Sequence, residues 1–183
     1  MTVTSAPLPN QRRDPLAVPT AVAVFAVGLG LLLWEGRFRV AEASASAWVL
    51  RLIRLRPASS LGPDVIFPLR GQWVGYTLSM ACTAALLIAP FFAIAGLLLL
   101  SGRVSRRRVL LALGVTSVII FVVNQLRLLV IAASMQVWGF ETGYQRSHVF
   151  LGTTLSTIGV IVGIIIFVWL LIDAPERPQR VAP

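Results

Sequence analysis

The stretch VLLALGVTSVIIFVVNQLRLLVIAASM, residues 109–135, decides the fold, because it is long and apolar enough to cross a bilayer as one helix. A membrane-spanning helix needs roughly 20 mostly apolar residues. Arg127 is the only charged residue in this stretch, and Asn124 precedes it by one helical turn on the same face. A charge there costs at least ~2.5–3.5 kcal/mol on insertion scales. It therefore persists where it is paired, reaches the headgroups or serves a function.

Three other stretches of the chain have the same apolar character. The four predicted membrane spans are residues 16–34, 76–100, 109–135 and 149–172. The chain is 57% hydrophobic and only 13% charged, which soluble domains rarely match. We therefore predict an all-α integral membrane protein with a single transmembrane domain at 16–172. Residues 1–15 are expected to be a disordered cytoplasmic N-terminus and residues 173–183 a cytoplasmic tail.

The arginines predict the orientation of these spans. The link SGRVSRRR, residues 101–108, is short and strongly basic, so it is expected in the cytoplasm together with both chain ends. Residues 35–75 then lie outside, although they also contain arginines. The formal net charge of +9 comes from arginines scattered over helix ends and loops. This placement suits anionic lipid headgroups and excludes a nucleic-acid partner.

The outer segment 35–75 is interrupted by arginines and is not expected to span the membrane. Residues 40–55 predict an interfacial amphipathic helix, whose apolar face carries Trp48, Val49, Leu52 and Ile53. Two roles remain open for it, a linker resting on headgroups or a substrate-binding element. Residues 57–71 are rich in Pro, Gly and Ser and predict a loop, with a short extended piece at 64–67. The expected aromatic belt comprises Trp34, Trp73, Tyr76, Trp138 and Tyr144.

Three reactive residues are expected near the outer ends of three different spans: Cys82, Arg127 and His148. Cys82 is the only cysteine and His148 the only histidine. Ser79 shares a helical face with Cys82, and Asn124 shares one with Arg127. These residues are predicted to converge in a shallow pocket open to the outside. A lone cysteine excludes a CxxC redox pair, and one histidine with one cysteine supplies too few ligands for a metal, so no metal or cofactor is expected.

Each of the three residues also has a non-functional interpretation. A lone cysteine is usually a small hydrophobe, a lone interfacial histidine is usually incidental, and Arg127 could reach the headgroups. No acidic residue inside the spans is available to pair with Arg127. The joint placement of three unrelated residue types favours a site. Small residues at Gly152, Ser156, Gly159 and Gly163 are expected to turn the face that begins with His148 toward the bundle.

These residues stand in three ordered strings, Ser79-Met-Ala-Cys-Thr-Ala84, Asn124-Gln-Leu-Arg127 and His148-Val-Phe-Leu-Gly152. A cysteine, then NxxR, then HxxxG resembles the exosortase/archaeosortase family, of which this chain looks like a compact member. The resemblance covers about residues 72–160. Where the family commonly has Ser-Gly after the cysteine, this chain has Thr83-Ala84, so the subtype and the substrate motif stay open.

The resemblance implies a membrane-embedded cysteine transpeptidase or protease in a prokaryotic plasma membrane. Its partner would be an exported protein with a C-terminal sorting tail, which combines a short motif, a transmembrane helix and a basic cluster. We hypothesise that Cys82 is the nucleophile, Arg127 stabilises the oxyanion and His148 transfers protons, with Asn124 holding Arg127. Water and an amine both remain possible acceptors. The alternative function is a non-enzymatic four-helix scaffold or assembly factor.

Overall fold

The computed structural model describes residues 15–53, 57–147 and 151–172. Within these residues the chain forms six α-helices, three β-strands and one short 3₁₀ turn, Met80–Cys82. The helices are α1 (Ala17–Leu33), α2 (Glu35–Leu52), α3 (Ala84–Ser101), α4 (Arg106–Trp138), α5 (Phe140–Arg146) and α6 (Gly152–Ile172). The strands are β1 (Ser59–Leu61), β2 (Asp64–Leu69) and β3 (Gln72–Thr77). The predicted cytoplasmic tails lie outside the described residues, apart from Pro15.

The described part of the chain has the helical membrane architecture that its composition predicts. By length and composition, α3, α4 and α6 can each cross a membrane. The helices α1 and α2 together would make a fourth span, but they are bent by 76° at their junction. The predicted helical membrane class is therefore confirmed, with a small sheet added to it.

The second predicted span was too long at its N-terminal end. Residues 76 and 77 belong to β3, and α3 begins only at Ala84. Thr83 has an extended backbone, and its side chain accepts a hydrogen bond from the Ala85 amide at 3.3 Å, which is the geometry of a helix N-cap. Cys82 therefore lies in the link before α3, and its predicted place inside the helix of residues 76–100 was wrong.

The predicted loop at 57–71 is instead part of a three-stranded antiparallel sheet with the order β1-β2-β3. The expected extended piece at 64–67 is contained in β2, which pairs with β3 from Asp64↔Thr77 to Leu69↔Gln72. Arg70 and Gly71 form the hairpin turn, both with positive φ (50° and 84°), as two-residue hairpin loops favour. One face of the sheet packs on α4 in a core that includes Phe67, Tyr76, Leu128, Ile131 and Met135. Tyr76 is therefore buried and is not part of an aromatic belt.

The outer helix α2 runs Glu35–Leu52 and starts earlier than the predicted 40–55. Its predicted apolar face is largely exposed, with Trp48 57%, Leu52 58% and Ile53 48% accessible. The opposite face is buried, and it consists of small residues, one leucine and one acid: Glu42, Ala43, Ser46, Ala47 and Leu50. The face of α2 that packs on the protein is therefore the one with mostly small side chains. The face with the bulky apolar side chains is left available to lipid.

The helix α4 is longer at both ends than the predicted span 109–135. Arg127 accordingly lies about three turns before the C-terminal end of α4, further from the helix end than the predicted span places it. Gly139, with φ 85°, ends α4, and α5 then folds back against it. Gly143 permits this contact, since a Cβ there would lie 2.6 Å from the Ser134 carbonyl oxygen.

The glycines of α6 face α4, as the small-residue pattern predicts. Gly152, Gly159 and Gly163 are buried. A Cβ at Gly159 would lie 2.5 Å from Val123 Cγ1, and one at Gly163 would lie 3.3 Å from Ile120. Only glycine allows this approach of the two helices at Gly159, so the stripe brings the N-terminal end of α6 close to Arg127.

Candidate active site

The thiol of Cys82 lies between a strand and a helix, in the 3₁₀ turn that links β3 to α3. Cys82 is only 3% exposed. The sulfur accepts a hydrogen bond from Ser79 Oγ at 3.2 Å and one from Arg127 Nη2 at 3.5 Å. The structure thus brings together three of the residues that the sequence singles out. The guanidinium is the one charged group that the described structure places in hydrogen-bond contact with the sulfur.

The guanidinium of Arg127 is enclosed between α4 and the start of α6. Arg127 is 7% exposed. A Cβ at Gly152 would lie 2.9 Å from Arg127 Nε and 3.5 Å from its Nη2. Glycine at 152 therefore makes room for the guanidinium. Nε is buried and makes no hydrogen bond with any described residue.

A buried acid completes the site, and the sequence did not single it out. Glu42 of α2 is 0% exposed, and this burial raises the pKa of its carboxyl, while its hydrogen bonds and the charge of Arg127 act in the opposite direction. The carboxylate accepts hydrogen bonds from Thr83 Oγ1 at 2.6 Å, the Ala84 amide at 3.1 and 3.2 Å, and Asn124 Nδ2 at 2.8 Å. The spans hold no acid to compensate Arg127, and the compensating acid comes from the outer segment instead.

One signal for Glu42 was present in the sequence. It stands inside the run AEASASA, residues 41–47, where every neighbour is small. Small residues let a helix approach its partner closely. A single carboxylate in such a run is therefore a candidate for burial rather than for solvent. The bulky apolar residues on the other face predict an interfacial helix instead, so Glu42 was not singled out.

Asn124 lies beside Arg127 on α4, but its hydrogen bonds differ from those expected. Its Nδ2 donates to Glu42 Oε1 at 2.8 Å and to the Cys82 carbonyl oxygen at 3.0 Å. Asn124 is 2% exposed, and its Oδ1 has no hydrogen-bond partner among the described residues. Asn124 therefore holds the backbone of residues 78–84, the cysteine segment. The sequence instead predicts a hydrogen bond between Asn124 and the Arg127 guanidinium.

A second α2 side chain reaches the upstream end of the same segment. Arg39 Nη1 donates to the Leu78 carbonyl oxygen at 3.2 Å, and Arg39 is itself paired with Glu35 at 2.7 Å. The outer helix thus contacts the chain on both sides of Cys82. Neither of the two roles left open for this helix, a headgroup linker or a substrate-binding element, anticipated these contacts.

His148 lies outside the described residues, as do Val149 and Phe150. The nearest described residues on either side are Ser147, which is buried, and Leu151. The Ser147 carbonyl oxygen would lie 3.2 Å from a Cβ at Gly152, the same Cβ that would meet Arg127 Nε. In the part of the chain that the structure describes, no cluster of three or more His, Cys, Asp or Glu side chains could hold a metal ion.

Comparison with models of known protein families assigns residues 8–170 to the family described as transmembrane exosortase (Exosortase_EpsH). The chain belongs to the transmembrane exosortase family. The resemblance that the ordered motifs indicate is thereby confirmed at the level of the family. No curated protein and no solved structure matches this exosortase. Membership supports a general role in membrane transpeptidation or protein sorting.

Proposed function

We propose that this exosortase cleaves the C-terminal sorting tails of exported proteins at the outer face of a prokaryotic plasma membrane, through an acyl-thioester on Cys82. The observation that carries the proposal is the 3.5 Å contact between Arg127 Nη2 and Cys82 Sγ, with both residues almost fully buried. A guanidinium held against the cysteine sulfur places hydrogen-bond donors beside the carbonyl group that the sulfur would attack.

The first chemical step is attack of the Cys82 thiolate on a peptide carbonyl carbon of the substrate. A carbon–sulfur bond forms, and the carbonyl electron pair moves onto the oxygen. Arg127 stays protonated and cannot act as a base, so its role is to donate hydrogen bonds to that oxyanion. Arg127 Nε, which has no partner among the described residues, is a suitable donor.

The second step breaks the carbon–nitrogen bond and needs a proton for the leaving amine. We assign this proton to His148, since it is the only histidine of the chain and imidazole titrates near neutral pH. The support is its position in the chain, directly after the buried Ser147. The same imidazole then takes a proton from the incoming amine or water, which attacks the thioester and releases the acyl product with restoration of the thiolate.

The substrate's own transmembrane helix would lie beside the bundle, with the cut site near Cys82. The orientation follows from α3, since Cys82 precedes its first residue while the basic link to α4 follows its last residue, Ser101. If that link is cytoplasmic, as its arginines indicate, then the thiol faces outside. Membrane lipids are the second partner, against the exposed apolar faces of the helices.

The orientation has a direct test in the Cys82→Ala background, which contains no other cysteine. A single cysteine replaces Leu61 of β1, which is 73% exposed, or Ser101 at the end of α3. A membrane-impermeant maleimide is added to intact spheroplasts. We expect labelling at position 61 and, at position 101, labelling only after permeabilisation. The reverse pattern would place the thiol in the cytoplasm.

The activity is tested by co-expression with a tailed protein encoded in the same genome. We expect a shortened substrate and, in rapidly quenched membranes, a covalent substrate adduct on the Cys82 peptide that neutral hydroxylamine removes, because thioesters are labile to it. Mass spectrometry measures both. A substrate without its transmembrane tail is the control and should remain uncut. Cleavage with no adduct on Cys82 under any quench would contradict the thioester route.

A further inference from the structure

We infer that Glu42 is a positioning residue for Cys82: it ties the cysteine segment to α4 through hydrogen bonds and does not itself react. The kinetic part of its test rests on the proposed function, whereas a second measurement on the thiol does not.

One carboxylate joins three segments that are distant in the chain. Glu42 Oε2 accepts from Thr83 Oγ1 at 2.6 Å, Oε1 accepts from Asn124 Nδ2 at 2.8 Å, and both oxygens lie within 3.2 Å of the Ala84 amide. Thr83 and Ala84 directly follow Cys82. A fully buried carboxylate is costly unless its oxygens are satisfied, and here three donors from two segments satisfy it.

Asn124 extends this hold to the cysteine itself. The same Nδ2 that donates to Glu42 also donates to the Cys82 carbonyl oxygen at 3.0 Å. Because Asn124 Oδ1 has no partner among the described residues, Glu42 is the side chain that orients this amide. Loss of the carboxylate would therefore remove the hydrogen bonds from the Thr83 hydroxyl and the Ala84 amide. It would also weaken the bond from Asn124 to the Cys82 carbonyl oxygen.

Two observations separate positioning from the alternatives. The described contacts of Cys82 Sγ are Ser79 Oγ and Arg127 Nη2, and Glu42 is 0% exposed, so it touches neither the sulfur nor an incoming substrate. The docking of α2 also has other support, in the buried Ala43, Ala47 and Leu50 and in the hydrogen bond from Ser46 to Gln125 at 2.7 Å. Glu42 is thus not needed merely to attach α2 to the bundle.

The kinetic test compares Glu42→Gln with Glu42→Asp in the full-length protein. Glutamine keeps the reach: its oxygen can accept from Asn124 and Ala84, and its amide can donate to the Thr83 hydroxyl. Aspartate keeps the charge, but its side chain is one methylene shorter and cannot reach both Asn124 and the segment Thr83–Ala84. We expect Glu42→Gln to retain kcat within about tenfold and Glu42→Asp to lose about 100-fold, since a 1 Å misplacement can cost that much. KM for the tailed substrate should change less than about threefold in both, because Glu42 touches no substrate.

Which of these two variants has the higher kcat shows whether the length of the Glu42 side chain or its charge matters. If Glu42 acted only as the counter-charge of Arg127, aspartate would work better than glutamine, and that order would overturn the inference. Arg37→Gln is the matched control. It removes a charge from an exposed position of the same helix, and the Arg37 side chain makes no hydrogen bond to the cysteine segment in the described structure. It should leave kcat within about threefold of the wild type, since distant sites act independently.

A second readout needs no substrate, because the chain has one cysteine. In detergent, iodoacetamide alkylates Cys82, and intact mass follows the rate. We expect Glu42→Asp to speed alkylation about tenfold by opening the buried segment locally, with Glu42→Gln and Arg37→Gln near the wild-type rate. Equal rates in all four proteins would overturn the inference. If alkylation changes as expected while no protein cleaves a tail, the positioning holds and the proposed function fails.

Discussion

Replacing Cys82 by serine should lower the rate of tail cleavage by about 10⁴-fold or more, since removing the nucleophile of a covalent enzyme has costs of this order. Serine is close to cysteine in size, and Ser79 Oγ could still donate to it, so the segment before α3 should keep its shape. A serine hydroxyl is, however, a much weaker nucleophile than a cysteine thiol at neutral pH. The measurement is the initial rate of substrate shortening in membranes that contain equal amounts of each protein.

Thr157→Ala provides the control for the cysteine variant. Thr157 lies on α6, is exposed, and bonds only to the Thr153 carbonyl oxygen of its own helix in the described structure. It should cleave at the wild-type rate. Wild-type cleavage by Cys82→Ser would contradict the thiol mechanism and would favour the alternative function, a non-enzymatic scaffold or assembly factor that recruits another protease.

Replacing Arg127 by glutamine should lower kcat by about 10²–10³-fold, the typical cost of losing one donor to an oxyanion. Two effects combine here: the sulfur loses its cation at 3.5 Å, and the developing oxyanion loses its donors. Arg127→Lys should recover only part of this rate, because an ammonium keeps the charge but lacks the planar fork of donors. Single-turnover cleavage at saturating substrate measures the effect, since it isolates the chemical step from substrate binding and product release.

The arginine variant also removes a buried hydrogen bond to Cys82 Sγ and a charge that acts on the buried Glu42, so it can lower stability as well as rate. Thermal unfolding of each protein in detergent must therefore accompany the kinetics. Arg107→Gln is the matched control, because it removes an exposed arginine from the first turn of the same helix. An Arg127→Gln protein that is folded and cleaves at the wild-type rate would contradict the assigned role.

The membrane helices and their small-residue contacts were predictable from local sequence. A long apolar stretch has few alternatives to a helix in lipid, because every backbone polar group must be satisfied internally. The packing of Gly152, Gly159 and Gly163 against a neighbouring helix was also predictable, because small residues at helical spacing let helices in a bundle approach closely. Cys82, Ser79 and Arg127 were chosen as unusual residues in apolar surroundings, and the structure brings them together.

The outer segment was not predictable in the same way. Strands β1 to β3 contain Pro68 and Gly75, which argue against regular strands. The strands pair as local hairpins, but the core that buries one face of the sheet includes α4, which lies far along the chain. The start of α3 was misplaced because Tyr76 and Leu78 continue the apolar composition of the helix. Glu42 was missed because its three donors lie far along the chain, so no pattern around it shows that they are available.

The links between α2, the cysteine segment and α4 also have a consequence for how the enzyme is made. Glu42 and Asn124 are separated by 82 residues of chain, and Cys82 and Arg127 by 45. Because a ribosome releases the chain from its N-terminal end, Cys82 is synthesised well before Arg127. Under the proposed mechanism, a fragment that ends before α4 therefore has the thiol without its Arg127 contact and should not cleave a substrate.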